Sequence, residues 1–75
     1  PATDDLNLIF TTSSTQDMTF EVYDIQGRKT NLMTTGTFHP GDHNVTLDVS
    51  SLSDGMYFVK SVVGETVHTQ KFLKR

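Results

Sequence analysis

Apolar and polar residues alternate at period two along most of this chain, the spacing of half-buried β-strands. Leu6, Leu8 and Phe10 interleave with Asn7, Ile9 and Thr11 and predict a first strand. Asp17 to Asp24 carries the cleanest pattern, with Met18, Phe20 and Val22 on one face and Thr19, Glu21 and Tyr23 on the other. One side of that strand must be buried. Arg28 to Thr35 predicts a weaker strand, in which Leu32 and Met33 fall on opposite faces and leave the register open. In His43 to Val49, the residues Val45, Leu47 and Val49 point inward, while Asn44, Thr46 and Asp48 point out. Leu52 to Arg75 predicts two strands joined at Val63-Gly64-Glu65-Thr66, where Gly64 supplies the positive φ of a tight reversal. No segment shows an apolar stripe at helical spacing.

The breaks in the pattern are turns with identifiable chemistry. Thr11 to Gln16 is a polar loop. Asp24-Ile25-Gln26-Gly27 fits a type I turn, with Asp at the first position and Gly at the last. Pro40-Gly41 interrupts Thr37 to Asp42, and Asp54-Gly55 reverses the chain into Met56 to Val63. Ser50 to Gly55 is too long for a tight hairpin and predicts an arch between two sheets with Leu52 beneath it. Six or seven short strands at close intervals predict an all-β antiparallel sandwich. Two parities conflict. Tyr57 and Phe58 point to opposite faces of one strand, and Phe72 opposes the face shared by Val67 and Leu73, which calls for a β-bulge or a two-sided strand.

Composition narrows the reading. With 75 residues and no cysteine, the chain makes one small domain that no disulfide staples and that has little room for an enclosed active site. A net charge of −3 argues against nucleic acid as a partner. The longest apolar runs fall far short of a membrane helix, and no stretch reads as a signal peptide. Because it starts at Pro1 rather than Met, the chain is expected to be a piece of a longer protein, with residues 1–5 as the end of an upstream linker. Charge is uneven: residues 1–24 hold Asp4, Asp5, Asp17, Glu21 and Asp24 with no Lys or Arg, and residues 60–75 hold Lys60, Lys71, Lys74 and Arg75 against Glu65. This asymmetry favours pairing of the first and last strands, although each exposed ion pair is worth only about 0–1 kcal/mol.

Candidate chemistry is sparse. His39, Asp42 and His43 share a turn, but two loop histidines four apart lack the helical geometry that makes such spacing specific for a metal. They read as exposed loop side chains, and His68 as an outward cross-strand partner. Asp4, Asp5, Asp17 and Asp24 do not form a calcium loop. Ser50-Ser51 lacks a nucleophile elbow and an identifiable base. Asn44-Val45-Thr46 matches a glycosylation sequon that matters only in a eukaryotic secretory route. The residues therefore predict no enzyme, cofactor, metal or small-molecule substrate.

Three pieces of the chain together resemble a known family. They are Val22-Tyr23-Asp24-Ile25-Gln26-Gly27-Arg28, Leu52-Ser53-Asp54-Gly55-Met56-Tyr57-Phe58-Val59, and the terminal Lys71-Phe72-Leu73-Lys74-Arg75. The set is similar to the C-terminal sorting domain of proteins exported by the type IX secretion system of Bacteroidota. In that family a Tyr-Asp-hydrophobic-x-Gly-Arg turn ends one strand, a Leu-x-x-Gly-x-Tyr segment opens the penultimate strand, and a basic-apolar strand closes the chain. The resemblance covers nearly the whole chain. Pro1-Ala2 followed by Asp5-Leu6 is similar to the tail of the family's Pro-Asn-Pro opening, without its first two residues.

The resemblance implies an Ig-like β-sandwich that serves as a folded export signal for a fused cargo. The cargo passes the periplasm, the outer-membrane translocon recognises the domain, and a sortase removes it upstream while joining the cargo to surface lipopolysaccharide. Lys71, Phe72, Leu73, Lys74 and Arg75 are the expected translocon-reading residues, with Tyr23, Asp24, Gly27, Arg28, Leu52, Gly55 and Tyr57 as the family motif. Gly27 and Gly55 read first as backbone requirements and second as receptor contacts. Arg28 stacks on Tyr23, pairs with Asp24, or is itself read by the translocon. The competing reading is a small Ig-like or fibronectin-like module binding glycan or protein, or a passive spacer, with weak self-association through its edge strands.

Overall fold

The computed structural model describes residues 4–75. Six strands follow in order: β1 (Asp5–Thr12), β2 (Gln16–Asp24), β3 (Lys29–Phe38), β4 (Gly41–Asp48), β5 (Gly55–Val63) and β6 (Thr66–Lys74). They form two antiparallel sheets, a pair β1-β4 and a four-stranded sheet in the order β3-β2-β5-β6. The arrangement is an Ig-like β-sandwich without helix among the described residues. Residues 1–3 of the expected linker lie outside the described residues. Asp5 opens β1, and the Asp4 carbonyl accepts the Val49 amide at 2.8 Å, so the β1-β4 ladder begins one residue earlier still.

The alternating faces meet as the sequence predicts. Met18, Phe20 and Val22 of β2 lie against Tyr57 and Val59 of β5, and Leu8 and Leu47 close the core from the other sheet. Phe20, Val22, Val49 and Val59 are the largest fully buried side chains. Phe10 bridges the sheets, its ring 5.7 Å from Phe20 and 5.3 Å edge-on to Phe38. The connection from Val49 to Gly55 is the predicted arch, with Leu52 half-buried under it and its amide donating to the Val49 carbonyl at 3.0 Å. Asp48 shapes the arch, accepting from the Ser50 hydroxyl and amide at 2.6 and 3.0 Å. The turn around Pro40 joins β3 to β4 across the two sheets, and is therefore a corner rather than a hairpin.

Three expectations resolve differently or more sharply. The first and last strands do not pair: β1 lies beside β4, and β6 beside β5 in the other sheet. A two-residue reversal at Gly64-Glu65, with Gly64 at φ +58°, ties β6 to its chain neighbour, a local constraint that exposed charges cannot outweigh. The ion pairs also stay local, Arg28 with Asp24 and Lys29 with Glu21. The register of the weak strand is settled by a bulge. Glu21 pairs with Met33 but Tyr23 with Lys29, so extra residues of β3 loop out opposite Val22. Thr30 stitches that bulge, donating to the Val22 carbonyl at 2.8 Å and accepting from the Leu32 amide at 3.2 Å. Leu32 thereby packs on the core and Met33 faces solvent.

No bulge relieves the last strand, whose register against β5 runs unbroken from Val63↔Thr66 to Gly55↔Lys74. It is two-sided: Phe72 turns inward, and Val67 and Leu73 turn out. Tyr57 is the core member of its pair and Phe58 lies half-buried on the outer face. Phe20→Ala should cost about 3–5 kcal/mol, most of the stability of so small a core, and leave the chain largely unfolded at 37 °C by circular dichroism.

Candidate functional site

The residues of the three sequence motifs converge at one pole of the sandwich. Strand register does this: Asp24 lies opposite Tyr57, Tyr57 opposite Phe72, and Gly55 opposite Lys74. The β2-β3 turn, the arch and the end of β6 thus form one surface, and a shallow cleft of about 160 Å³ runs between Gln26 and Arg28 on one side and Asp54 to Tyr57 on the other.

The turn after β2 is organised by one carboxylate. Asp24 Oδ1 accepts the amides of Gln26 and Arg28, both at 2.9 Å, and Oδ2 accepts Arg28 Nε at 2.8 Å. The Gly27 amide closes the turn on the Asp24 carbonyl at 3.0 Å. Gly27 sits at φ +86°, and a Cβ there would meet nothing within 4 Å, so the residue is required for its backbone angle and not for space. Arg28 resolves as a partner of Asp24. It bonds through Nε, and its side chain stays 76% exposed. Above the Tyr23 ring lies Lys60, its Nζ 4.3 Å from the centroid. The Tyr23 hydroxyl donates to Glu21 at 3.4 Å, and Glu21 pairs with Lys29 at 2.8 Å, giving the outer face a continuous polar row.

The second motif anchors the arch. Tyr57 is buried, its hydroxyl donates to the Ser53 carbonyl four residues upstream at 2.8 Å, and its ring stacks on Phe72 at 5.8 Å with 25° between planes. Leu52 plugs the arch from below, and Gly55 starts β5 at φ +150°, an angle that strains any residue with a Cβ. The roles of Leu52, Gly55 and Tyr57 are therefore mechanical: the Leu fills the arch, the Gly turns the chain and the Tyr ties the two together. Tyr57 and Gly55 in turn seat Phe72 and Lys74 of the last strand.

The terminal residues are not equivalent. Lys71 and Arg75 are exposed, and Phe72 and Leu73 are half-buried on opposite faces. Lys74 is only 6% exposed, folded onto the inner side, where Nζ donates to the Arg75 carbonyl at 3.1 Å. Reading the terminal basic residues as one displayed group missed this, although the shared parity of Lys74 and Phe72 was its signal. The two histidines expected as exposed loop side chains lie at the opposite pole, where His39 is exposed but His43 is half-buried in β4, its ring covered by Phe10 and Phe38. His43 Nε2 donates to the His39 carbonyl at 2.6 Å, and the ring packs 5.1 Å from Phe38. Asp42 accepts from Thr11 at 2.8 Å. Among the described residues no group of three or more His, Cys, Asp or Glu side chains is placed to hold a metal ion.

The Arg28 amide first, then its side chain and the Gln26 amide, hold the Asp24 carboxyl below its ordinary value of 3.8, with partial burial opposing. A carboxylate depressed in the folded state contributes stability above its unfolded pKa and loses it as pH falls through the folded one. Thermal stability should therefore decline from about pH 4 downward, and less steeply in Asp24→Asn than in the parent chain. Tyr57→Phe, which removes the bond to Ser53 and keeps the stack on Phe72, should cost about 0.5–1.5 kcal/mol. Gly55→Ala should cost about 1–3 kcal/mol. Urea unfolding measures both.

No curated protein and no solved structure matches the chain. The family model for the secretion system C-terminal sorting domain matches residues 1–75, the full length. That family comprises sorting signals of type IX secretion, which imply a fused cargo, contact with the secretion machinery and export to the outer membrane or beyond it. The chain belongs to the family of type IX secretion system C-terminal sorting domains.

Proposed function

We propose that the export machinery reads this domain by adding a strand of its own to the free edge of β6, and that a sortase then cuts upstream of the domain. The observation that carries this is the edge position of β6, paired on one side with β5 and, among the described residues, open on the other. A two-residue reversal closes on a hydrogen-bonded pair, so Thr66, His68, Gln70 and Phe72 exchange bonds with β5. Val67, Thr69, Lys71 and Leu73 then direct their backbone groups away from the sheet, a template for strand addition.

Within this reading the terminal residues divide the work. Lys71 and Arg75 steer the edge to an acidic receptor surface. Leu73 offers an apolar contact on the outer face. Phe72 and Lys74 act from the inside, locking the strand to Tyr57 and Gly55 so that the edge is presented straight. The receptor is the outer-membrane translocon, reached from the periplasm, and the sortase transfers the cargo to the cell surface.

Fusing residues 1–75 to a periplasmic reporter in a host with a type IX system tests this. Truncation from Thr69 should leave the reporter in the periplasm. Thr69→Pro separates recognition from folding, since it removes an outward amide without touching the β5 ladder. It should keep the parent's melting temperature and still block export, whereas Gln70→Pro should lower both. Normal export of the Thr69→Pro fusion would sink the proposal.

A further inference from the structure

The two sheets are unequal, and a pair of strands cannot roof four. Where β1 ends its cover, the inner face of β5 and β6 is left open. His68 and Gln70 show this directly: register places both on the inward face, opposite Ser61 and Val59, yet both are exposed. The register, and not the exposure, corrects the sequence reading of His68 as an outward strand residue. Two adjoining clefts, of about 400 and 200 Å³, run beside β1 and share Phe10, Met18 and His68 in their walls.

The rim of this opening is a second free edge. The Val49 amide bonds the Asp4 carbonyl, which fixes the alternation of the β1-β4 ladder: Leu6, Leu8 and Phe10 bond to β4, and Asp5, Asn7, Ile9 and Thr11 direct their backbone groups to the open side. Ile9 lies on this edge and is 81% exposed, the most exposed of the large hydrophobic residues. The edge and the cleft together fit a strand, whose backbone would pair with β1 and whose alternate side chains would enter the cleft over Met18.

Charge names the chemistry of the occupant. Neither β1 nor β4 contains a Lys or Arg, and the outer face of the pair carries Asp5 directly opposite Asp48, with Asp42 at the other end. Like charges directly opposed on a sheet are unfavourable, and a cation placed beside them relieves the repulsion. We propose that β1 binds an extended segment of a partner protein in which apolar residues alternate with basic ones, the apolar set filling the cleft and the basic set lying beside Asp5 and Asp42. This site is separate from the β6 edge and does not depend on how the translocon reads that edge.

The probe is a capped octapeptide alternating Val with Lys, and the control its counterpart alternating Val with Glu, each titrated into the isotope-labelled 75-residue chain. The Lys peptide should slow amide exchange at Asn7, Ile9 and Thr11, and bind about tenfold more tightly than the Glu peptide. Asp5→Lys should reverse that preference. Ile9→Pro removes an outward amide only, and should abolish binding with the melting temperature retained. Equal binding of the two peptides, protection at Val67 and Thr69 of β6 in place of β1, or self-association of the chain as the sole effect would each overturn the proposal. Export is not read in this experiment, so its outcome is independent of the sorting function.

Discussion

The pairing of β2 with β5 is the constraint on which the rest of the structure depends. These two strands are the interior members of the larger sheet, and their inward residues Phe20, Val22 and Val59 are almost completely removed from water. Burial of such side chains stabilises a fold by roughly 1.5–3 kcal/mol each, a large share of what a domain of this size can muster. Register follows from that burial, because a slip by one residue would carry Phe20 and Val22 to the solvent face. Once it is set, Asp24 must meet Tyr57, and the motif pole is assembled as a consequence.

Seen from that pairing, the residues of the three sequence motifs have mechanical roles. Asp24 and Gly27 end β2 in a turn of fixed shape, and Leu52, Gly55 and Tyr57 fix the arch that returns the chain to the sheet. The arch lies beside the end of β6 and holds it in register, through the Tyr57-Phe72 stack and the Gly55-Lys74 pairing, and the Asp24 turn lies on the far side of β5. The sidedness of β6 explains why the basic residues around Phe72 have different fates. Lys71 is displayed, and Lys74 is folded inward to become part of the seat. The straight course of β6 thus depends on the folded arch, through Tyr57 and Gly55 of β5.

The small sheet has the opposite character. Two strands with no Lys or Arg on them lie over four, so among the described residues the sandwich keeps two free edges on that side and an inner face that is covered only in part. His43, packed against Phe10 and Phe38, and the Thr12 hydroxyl, bonded to the His39 carbonyl at 2.9 Å, secure the far corner. The residues that looked most like metal ligands in the sequence are thus fasteners of a corner between sheets.

Most of the strands, the inward faces of β1, β2 and β4, the Asp24 turn and the arch over Leu52 were legible in the sequence, because each depends on period-two alternation or on the local chemistry of Asp, Gly and Pro. The bulge opposite Val22 was not, since Leu32 and Met33 satisfy either register until Thr30 finds the Val22 carbonyl. Strand order was misjudged where charge was allowed to choose partners: screened surface charges are weaker than a two-residue turn that delivers β6 to β5. The exposure of inward-facing His68 and Gln70 and the meeting of three distant motifs at one pole came only from the tertiary structure, and Lys74, inward by its parity with Phe72, needed the fold to supply its cover. Periodicity tells which face of a strand a residue occupies, but whether anything lies over that face depends on how many strands the opposing sheet contributes.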